Sequence, residues 1–314
     1  MTAAPTVHAD IALVGELIPT FEFSLELLAT MRAQQSEGFA MMAPPLSDDV
    51  ERTDHVVSTD PRVTVRVHRP KQLVAPAACL YSIHGGGYII GSFDMDDAKF
   101  DHYCVEFGCV GVSVEYRLAP EVPYPGPLDD CYAGLAWTFE HTNELGIDPE
   151  RVGITGVSAG GGLAAALGLL ARDRGEYPVA FQLLECPMVD DRQVTSSSQY
   201  DDLLIWSRES NTFGWQCYLG EFYGTDAVPM YAAPTRADDL SGLPDTLVIT
   251  GGADGFRDEN IEYARRLGAA GVNTDLCVIA GAPHGVQMFT NTEPERRWAR
   301  AVVEWLAPRL SPRS

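Results

Sequence analysis

The sequence predicts an α/β fold: a mostly parallel central sheet with helices on both faces, plus a helical cap. Two observations carry this. From Val63 onward, short apolar strand-like runs alternate with longer helix-like segments, the order that builds a parallel sheet covered by helices. Two regions break the alternation, the stretch up to about Pro45 and the stretch between Asp190 and about Tyr231. They read as additions to the sheet-and-helix body.

The elements follow in chain order. Met1 to Thr20 lacks a basic start followed by an apolar run, so it does not read as a secretory signal. Phe21–Arg32 is an amphipathic segment. Val63–His68, Cys79–Ile83 and Val110–Glu115 are expected strands, followed by a helix over Leu128–Leu145. Val152–Gly156 is the next strand, and Ala159–Arg172, rich in Ala and Leu, the next helix. Val179–Cys186 is a further strand. The insertion after it carries Trp206, Phe213, Trp215, Tyr218, Phe222 and Tyr223. An aromatic-rich insertion between two core strands is expected to lie as a lid over the strand ends. A strand at Leu247–Gly251, a helix at Asp258–Ala270, a strand at Asp275–Ile279 and a last helix at Pro294–Leu310 complete the reading. The expected organisation is therefore a cap part at 1–45, the catalytic domain at 46–189 and 231–314, and a cap insertion at 190–230.

Composition narrows the function classes. With 314 residues and 46% hydrophobic content, the chain can bury one large core with an attached cap. The formal charge of −22 repels phosphate backbones and anionic lipid, so neither nucleic acid nor a membrane is an expected partner. No run approaches the ~18 consecutive apolar residues of a membrane helix. With no export signal, a cytoplasmic location is expected. The seven cysteines are odd in number and include no C-x-x-C pair. Buried free thiols are expected rather than disulfides or zinc ligands.

The chemistry is concentrated in three places. Gly156-Val157-Ser158-Ala159-Gly160 is a G-x-S-x-G pentapeptide between an expected strand and an expected long helix. The chain must turn sharply there, leaving the serine strained and its oxygen exposed. A serine needs a base to become a useful nucleophile. In the α/β-hydrolase fold, which this strand–turn–helix context indicates, the partners follow in the order Ser, acid, His. Of the histidines at 8, 55, 68, 84, 102, 141 and 284, only His284 lies beyond Ser158. The acid belongs on a loop after a core strand, which favours Asp254 in Gly251-Gly252-Ala253-Asp254. Asp258 is the alternative, although a position at a helix start is better explained by capping.

His84-Gly85-Gly86-Gly87-Tyr88 follows an early core strand. Glycines let backbone N–H groups face a substrate oxygen. Donors within Gly85, Gly86 and Gly87 would join the N–H of Ala159 in stabilising a tetrahedral oxyanion. His84 is expected to shape this loop rather than act as a second base. Tyr88, Trp206, Phe213, Trp215 and Val286 are the candidate pocket residues.

Together these motifs resemble the hormone-sensitive-lipase-like esterases, also called family IV bacterial esterases. The likeness runs from about Val63 to the last helix through the HGGG loop at 84–87, Glu115-Tyr116-Arg117-Leu118-Ala119-Pro120, the elbow at 156–161, Asp254–Glu259 and His284-Gly285. It implies a carboxylic ester hydrolase acting on small-molecule esters through Ser158, Asp254 and His284, with no cofactor and no metal; the bulky side chains of the insertion and of Tyr88-Ile89-Ile90 are expected to leave a short acyl pocket over Ser158. It also implies a cap built from the N-terminal segment and the insertion. Family members often pair, so a homodimer is compatible with it. Two departures bear on pocket shape. Val157 stands where Asp or Thr is usual, and Asp254-Gly255-Phe256-Arg257-Asp258-Glu259 replaces the common Asp-Pro-Leu-Arg-Asp-Glu. A lactone hydrolase using the same site is one rival. A non-catalytic small-molecule receptor is another, and the presence of His284 counts against it because plant gibberellin receptors of this type lack the catalytic histidine.

Overall fold

The computed structural model describes residues 5–15, 23–42 and 45–312, with residues 35–42 by backbone alone. Phe21 and Glu22 of the expected amphipathic segment lie outside the described residues, as do Met1–Ala4 and Glu16–Thr20 of the N-terminal stretch. Eight strands form one sheet: β1 (Val50–Thr59), β2 (Arg62–Pro70), β3 (Ala77–Ile83), β4 (Val110–Glu115), β5 (Ile147–Val157), β6 (Phe181–Glu185), β7 (Asp245–Gly251) and β8 (Thr274–Ile279). Their order is β1-β2-β4-β3-β5-β6-β7-β8. β1 and β2 form an antiparallel pair, β2 runs antiparallel to β4, and the remaining neighbours are parallel.

The inner parallel strands β3, β4, β6 and β7 are buried on both faces because helices cover both. On β3, Cys79, Tyr81 and Ile83 join the core under α4 (Gly126–Glu140), α6 (Ala159–Arg174) and α8 (Arg257–Ala269). Ala78 and Leu80 point the other way, into the core under α3 (Asp97–Phe107) and α9 (Glu293–Leu310). The alternation of side chains along a strand divides one hydrophobic run between two cores.

Three elements differ from the sequence reading. β1 carries little strand signal in the sequence because most of its residues are polar, as suits an edge strand held by a single neighbour. α3 was also missed, although Phe100, Tyr103, Cys104 and Phe107 follow helical i, i+3, i+4, i+7 spacing and are all buried. Asp94 and Asp96 just before it, and Asp97 and Asp101 within it, obscured that pattern. The single helix expected over Leu128–Leu145 is two, because α4 ends at Glu140 and α5 (Thr142–Leu145) follows. The His141 ring bonds back to the Trp137 carbonyl at 2.8 Å where the two meet.

The two irregular regions supply α1 (Ala9–Gly15), α2 (Leu25–Met42) and α7 (Arg208–Leu219). Phe23, just before α2, stacks on Phe213 of α7 at 6.4 Å and tilts against Trp206 at 5.5 Å. The N-terminal segment and the insertion thus touch each other through aromatic rings. The His8 N–H donates to Gly281 O at 2.9 Å, and Ile11 of α1 is fully buried. All seven cysteines are unpaired, five of them buried. Among the described residues, no helix is long and apolar enough to cross a membrane.

Candidate active site

The carboxyl ends of β3, β5, β7 and β8 converge, the usual location of ligand sites in open α/β sheets. Ser158 sits between β5 and α6 with φ 58° and ψ −120°, a backbone conformation that side-chain-bearing residues seldom adopt. Close packing holds it there. The Ser158 N–H donates to Glu185 O at 2.8 Å, and Ser158 O accepts from Gly162 and Met188 at 2.9 Å. Gly160 explains one glycine of the pentapeptide. A Cβ there would stand 2.1 Å from Ile83 O and 2.4 Å from His84 O. Only a bare backbone lets the elbow helix approach the end of β3.

His284 lies on the loop after β8. Its Nε2 is 2.9 Å from Ser158 Oγ, and its Nδ1 is 2.8 Å from Asp254 Oδ2. Asp254 lies on the loop after β7, and its Oδ1 accepts the Phe256 N–H at 2.9 Å. The Phe256 ring meets the imidazole edge-on at 4.9 Å. Ser158, Asp254 and His284 are all buried. Burial alone would lower the His284 pKa, but the adjacent Asp254 carboxylate and the Cys186 sulfur hold it above the ordinary imidazole value. An environment that stabilises imidazolium suits a base that must take a proton. Asp258, the alternative acid, is engaged elsewhere: it accepts the Ser197 N–H at 2.9 Å and pairs with Arg257 at 2.8 Å.

The glycine loop faces the same point. His84 is buried and stacked on Tyr116 at 4.1 Å, and its Nδ1 contacts Gly85 O at 2.8 Å, so that nitrogen carries the proton. Burial pushes its pKa down to about 4. It is a neutral ring that shapes the loop. Gly86 O accepts from Ile89 and Ile90 at 3.0 Å, which curls the loop. Among the described residues, the N–H groups of Gly86, Gly87 and Ala159 have no acceptor. Unpaired donors at the elbow helix N-terminus and on this loop are what a developing oxyanion requires.

The candidate pocket residues separate into two groups. Trp206 packs on Gly87, and Phe213 is half-buried against Phe23. Tyr88 and Trp215 are instead fully buried in the core: Tyr88 stacks on Tyr218 at 3.9 Å and donates to Met188 O at 3.0 Å. Val286 is buried in the turn that follows His284.

Several supporting residues were not foreseen. Glu259 Oε1 accepts the N–H groups of Val189 and Asp190 at 3.2 and 3.3 Å, and Asn260 Nδ2 donates to Pro187 O at 2.6 Å. Together they fix the backbone that supports Ser158 through Met188. Burial, then the charge of Asp190, raises the Glu259 pKa well above the ordinary carboxylate range. Glu185 Oε2 accepts from Trp298 Nε1 at 2.6 Å and from Gln287 Nε2 at 3.1 Å, tying α9 and the His284 loop to β6. A carboxylate closing the apolar run Phe181-Gln182-Leu183-Leu184 was the legible signal for it. Arg32 of α2 donates to Ile89 O at 2.7 Å and to Ala119 O at 2.5 Å, fastening the N-terminal helix to the glycine loop.

A protein-family model described as the alpha/beta hydrolase fold matches residues 80–288, more than half of the chain. The chain belongs to that family. Within this α/β-hydrolase family it is of the hormone-sensitive-lipase-like kind, and several of its relatives are named as esterases. A carboxylesterase of Mycobacterium tuberculosis is 36% identical over 235 residues, 74% of this chain and 73% of that protein. An ethyl acetate hydrolase of Pseudomonas putida is 31% identical over 300 residues, 90% of this chain and 92% of that protein. Among solved structures, a bacterial heroin esterase superposes with a TM-score of 0.91 at 39% identity, covering 98% of this chain and 99% of that one. As a member of this α/β-hydrolase family, with esterases as neighbours in both sequence and structure, the chain is a carboxylesterase.

Proposed function

We propose that this carboxylesterase hydrolyses short-acyl, small-molecule esters, with Ser158 as nucleophile, His284 as general base and Asp254 as the acid that orients the base. The observation that carries the reading is the unbroken line of hydrogen bonds Ser158 Oγ–His284 Nε2–His284 Nδ1–Asp254 Oδ2, at 2.9 and 2.8 Å. Ser158 Oγ attacks the ester carbonyl as His284 takes its proton. The carbonyl oxygen becomes an oxyanion held by N–H groups of Gly86, Gly87 and Ala159. His284 returns the proton to the departing alcohol, then activates the water that releases the acid from the acyl-enzyme. Asp254 holds the imidazole in the tautomer that carries its proton on Nδ1.

The short-acyl preference rests on how closely the insertion approaches the glycine loop. A Cβ on Gly214 of α7 would come within 2.9 Å of Gly87 O, so this helix rests directly on the loop. We assign the N-terminal segment and the insertion together as the cap, bounded near residues 45, 190 and 230. Each methylene that fits beneath it gains ~0.8 kcal/mol, and each that must displace packed rings costs ~1–3 kcal/mol. A p-nitrophenyl ester series tests the reading. The best kcat/KM is expected between acetyl and hexanoyl, with a steep fall by decanoyl. A maximum at dodecanoyl or longer, or activation by emulsified triglyceride, overturns it. Absence of turnover on every ester would instead favour a receptor.

A further inference from the structure

Cys186 follows β6 directly and is fully buried, with φ 36° and its N–H donating to Ile249 O at 2.7 Å. That turn brings its thiol against the Ser158–His284–Asp254 line. The Cys186 Sγ, a carboxylate oxygen of Asp254 and a ring nitrogen of His284 all lie within 4.8 Å of one another. Among the described residues, no other three His, Cys, Asp or Glu side chains converge in this way.

The spacing suits a cation. Bonds of about 2.0–2.3 Å in a tetrahedral site put neighbouring ligand atoms about 3.3–3.8 Å apart, so no pair here must close by more than about 1.5 Å. His284 Nδ1 and Asp254 Oδ2, at 2.8 Å, already have the separation of two ligands about 90° apart on one ion. Thiolate, imidazole and carboxylate together form a donor set that favours borderline-soft ions over magnesium or calcium.

We propose that Cys186, Asp254 and His284 form a latent site for a divalent cation of the zinc and cadmium class, and that filling it reversibly inhibits the enzyme. Binding releases the Cys186 thiol proton to solvent. The imidazole stays neutral, but its Nδ1 lone pair now holds the ion and its proton moves to Nε2. There it cannot accept the Ser158 proton. The inhibitory half rests on the assignment of His284 as base; the binding half does not.

Cadmium is the probe, and full-length Ser158→Ala is the first target because binding is then read without turnover. The thiolate-to-cadmium ultraviolet charge-transfer band should titrate with one equivalent of ion. It should vanish when Cys186→Ser is added and persist when Cys217→Ser and Cys277→Ser are added instead. Those two half-buried thiols are the competing source of such a band. A band that follows Cys217 or Cys277 and survives Cys186→Ser overturns the site. On the active enzyme, cadmium should inhibit acetyl ester hydrolysis, a chelator should restore it, and Cys186→Ser should need at least about tenfold more cadmium for half-inhibition relative to its own metal-free rate. A Cys186-dependent band without inhibition overturns the inhibitory mechanism; the role given to His284 stands or falls separately, on turnover by His284→Ala without metal. Inhibition without the band overturns the site and leaves that role standing.

Discussion

The indole of Trp206 closes over the backbone of Gly87: a Cβ built on Gly87 would stand 2.1 Å from the ring carbon Cη2. Gly87 also has φ 61°, so any side chain there meets backbone strain as well as the indole. The insertion and the glycine loop therefore meet at one contact.

That contact makes Gly87→Ala informative. We expect kcat to fall ~10²–10³-fold, the cost of losing one oxyanion donor, with a smaller change in KM. Trp206→Ala added to it should recover part of the loss by removing the clash but not the strain. Trp206→Ala alone should move the acyl-length optimum to longer chains. Steady-state kinetics on the ester series read all three, and strictly additive effects of the two substitutions would mean that the residues do not act through this contact.

Ser158→Ala and His284→Ala should each reduce kcat by at least ~10⁴-fold without loss of the fold. Near-normal turnover in His284→Ala would remove the base assignment.

Asp254→Asn should cost ~10⁴-fold in kcat, because an amide no longer selects the Nδ1–H tautomer. Asp258→Asn should leave turnover within about tenfold and lower the melting temperature, since its carboxylate holds Ser197 and Arg257 rather than the imidazole. The reverse ranking in folded variants would transfer the acid role.

Glu185→Ala leaves the Trp298 indole N–H and the Gln287 amide without their shared acceptor. Stranding buried donors costs about 1–3 kcal/mol, so the urea midpoint should drop. Because Gln287 follows His284 by three residues, kcat should also fall while KM holds. A variant as stable and as fast as the parent would show that the tether is idle.

Stability should respond to pH through Glu115. Burial pushes its pKa up to about 7, above the ordinary 4.5. Its folded pKa exceeds its unfolded one, so it costs no stability below about 4.5, and the cost grows with rising pH and is complete above about 7. Glu115→Gln cannot ionise, and its amide oxygen can still accept the Phe93 N–H that Glu115 holds at 2.8 Å. The variant should exceed the parent by about 2 kcal/mol at pH 8, less than the full shift because Glu115 is partly exposed, and by under about 1 kcal/mol at pH 5. Chemical denaturation at the two pH values decides it, and an equal difference at both would exclude ionisation as the cause.

The sequence by itself determined the strands from Val63 onward and picked out Ser158, Asp254 and His284, the residues proposed as nucleophile, acid and base. Each of these is a local pattern under a backbone constraint: alternating strand and helix, a small-residue turn between them, and a loop at a strand's end. β1 and α3 escaped because an exposed edge strand and an acid-rich helix start weaken the apolar pattern that reveals an element. Tertiary structure alone decided that Trp206 lies on Gly87, that Cys186 reaches the imidazole of His284, and that Glu185 bonds Trp298 across 113 residues of chain. Such contacts depend on how whole elements pack. No short stretch of sequence encodes the distance between two side chains that only the folded sheet brings together.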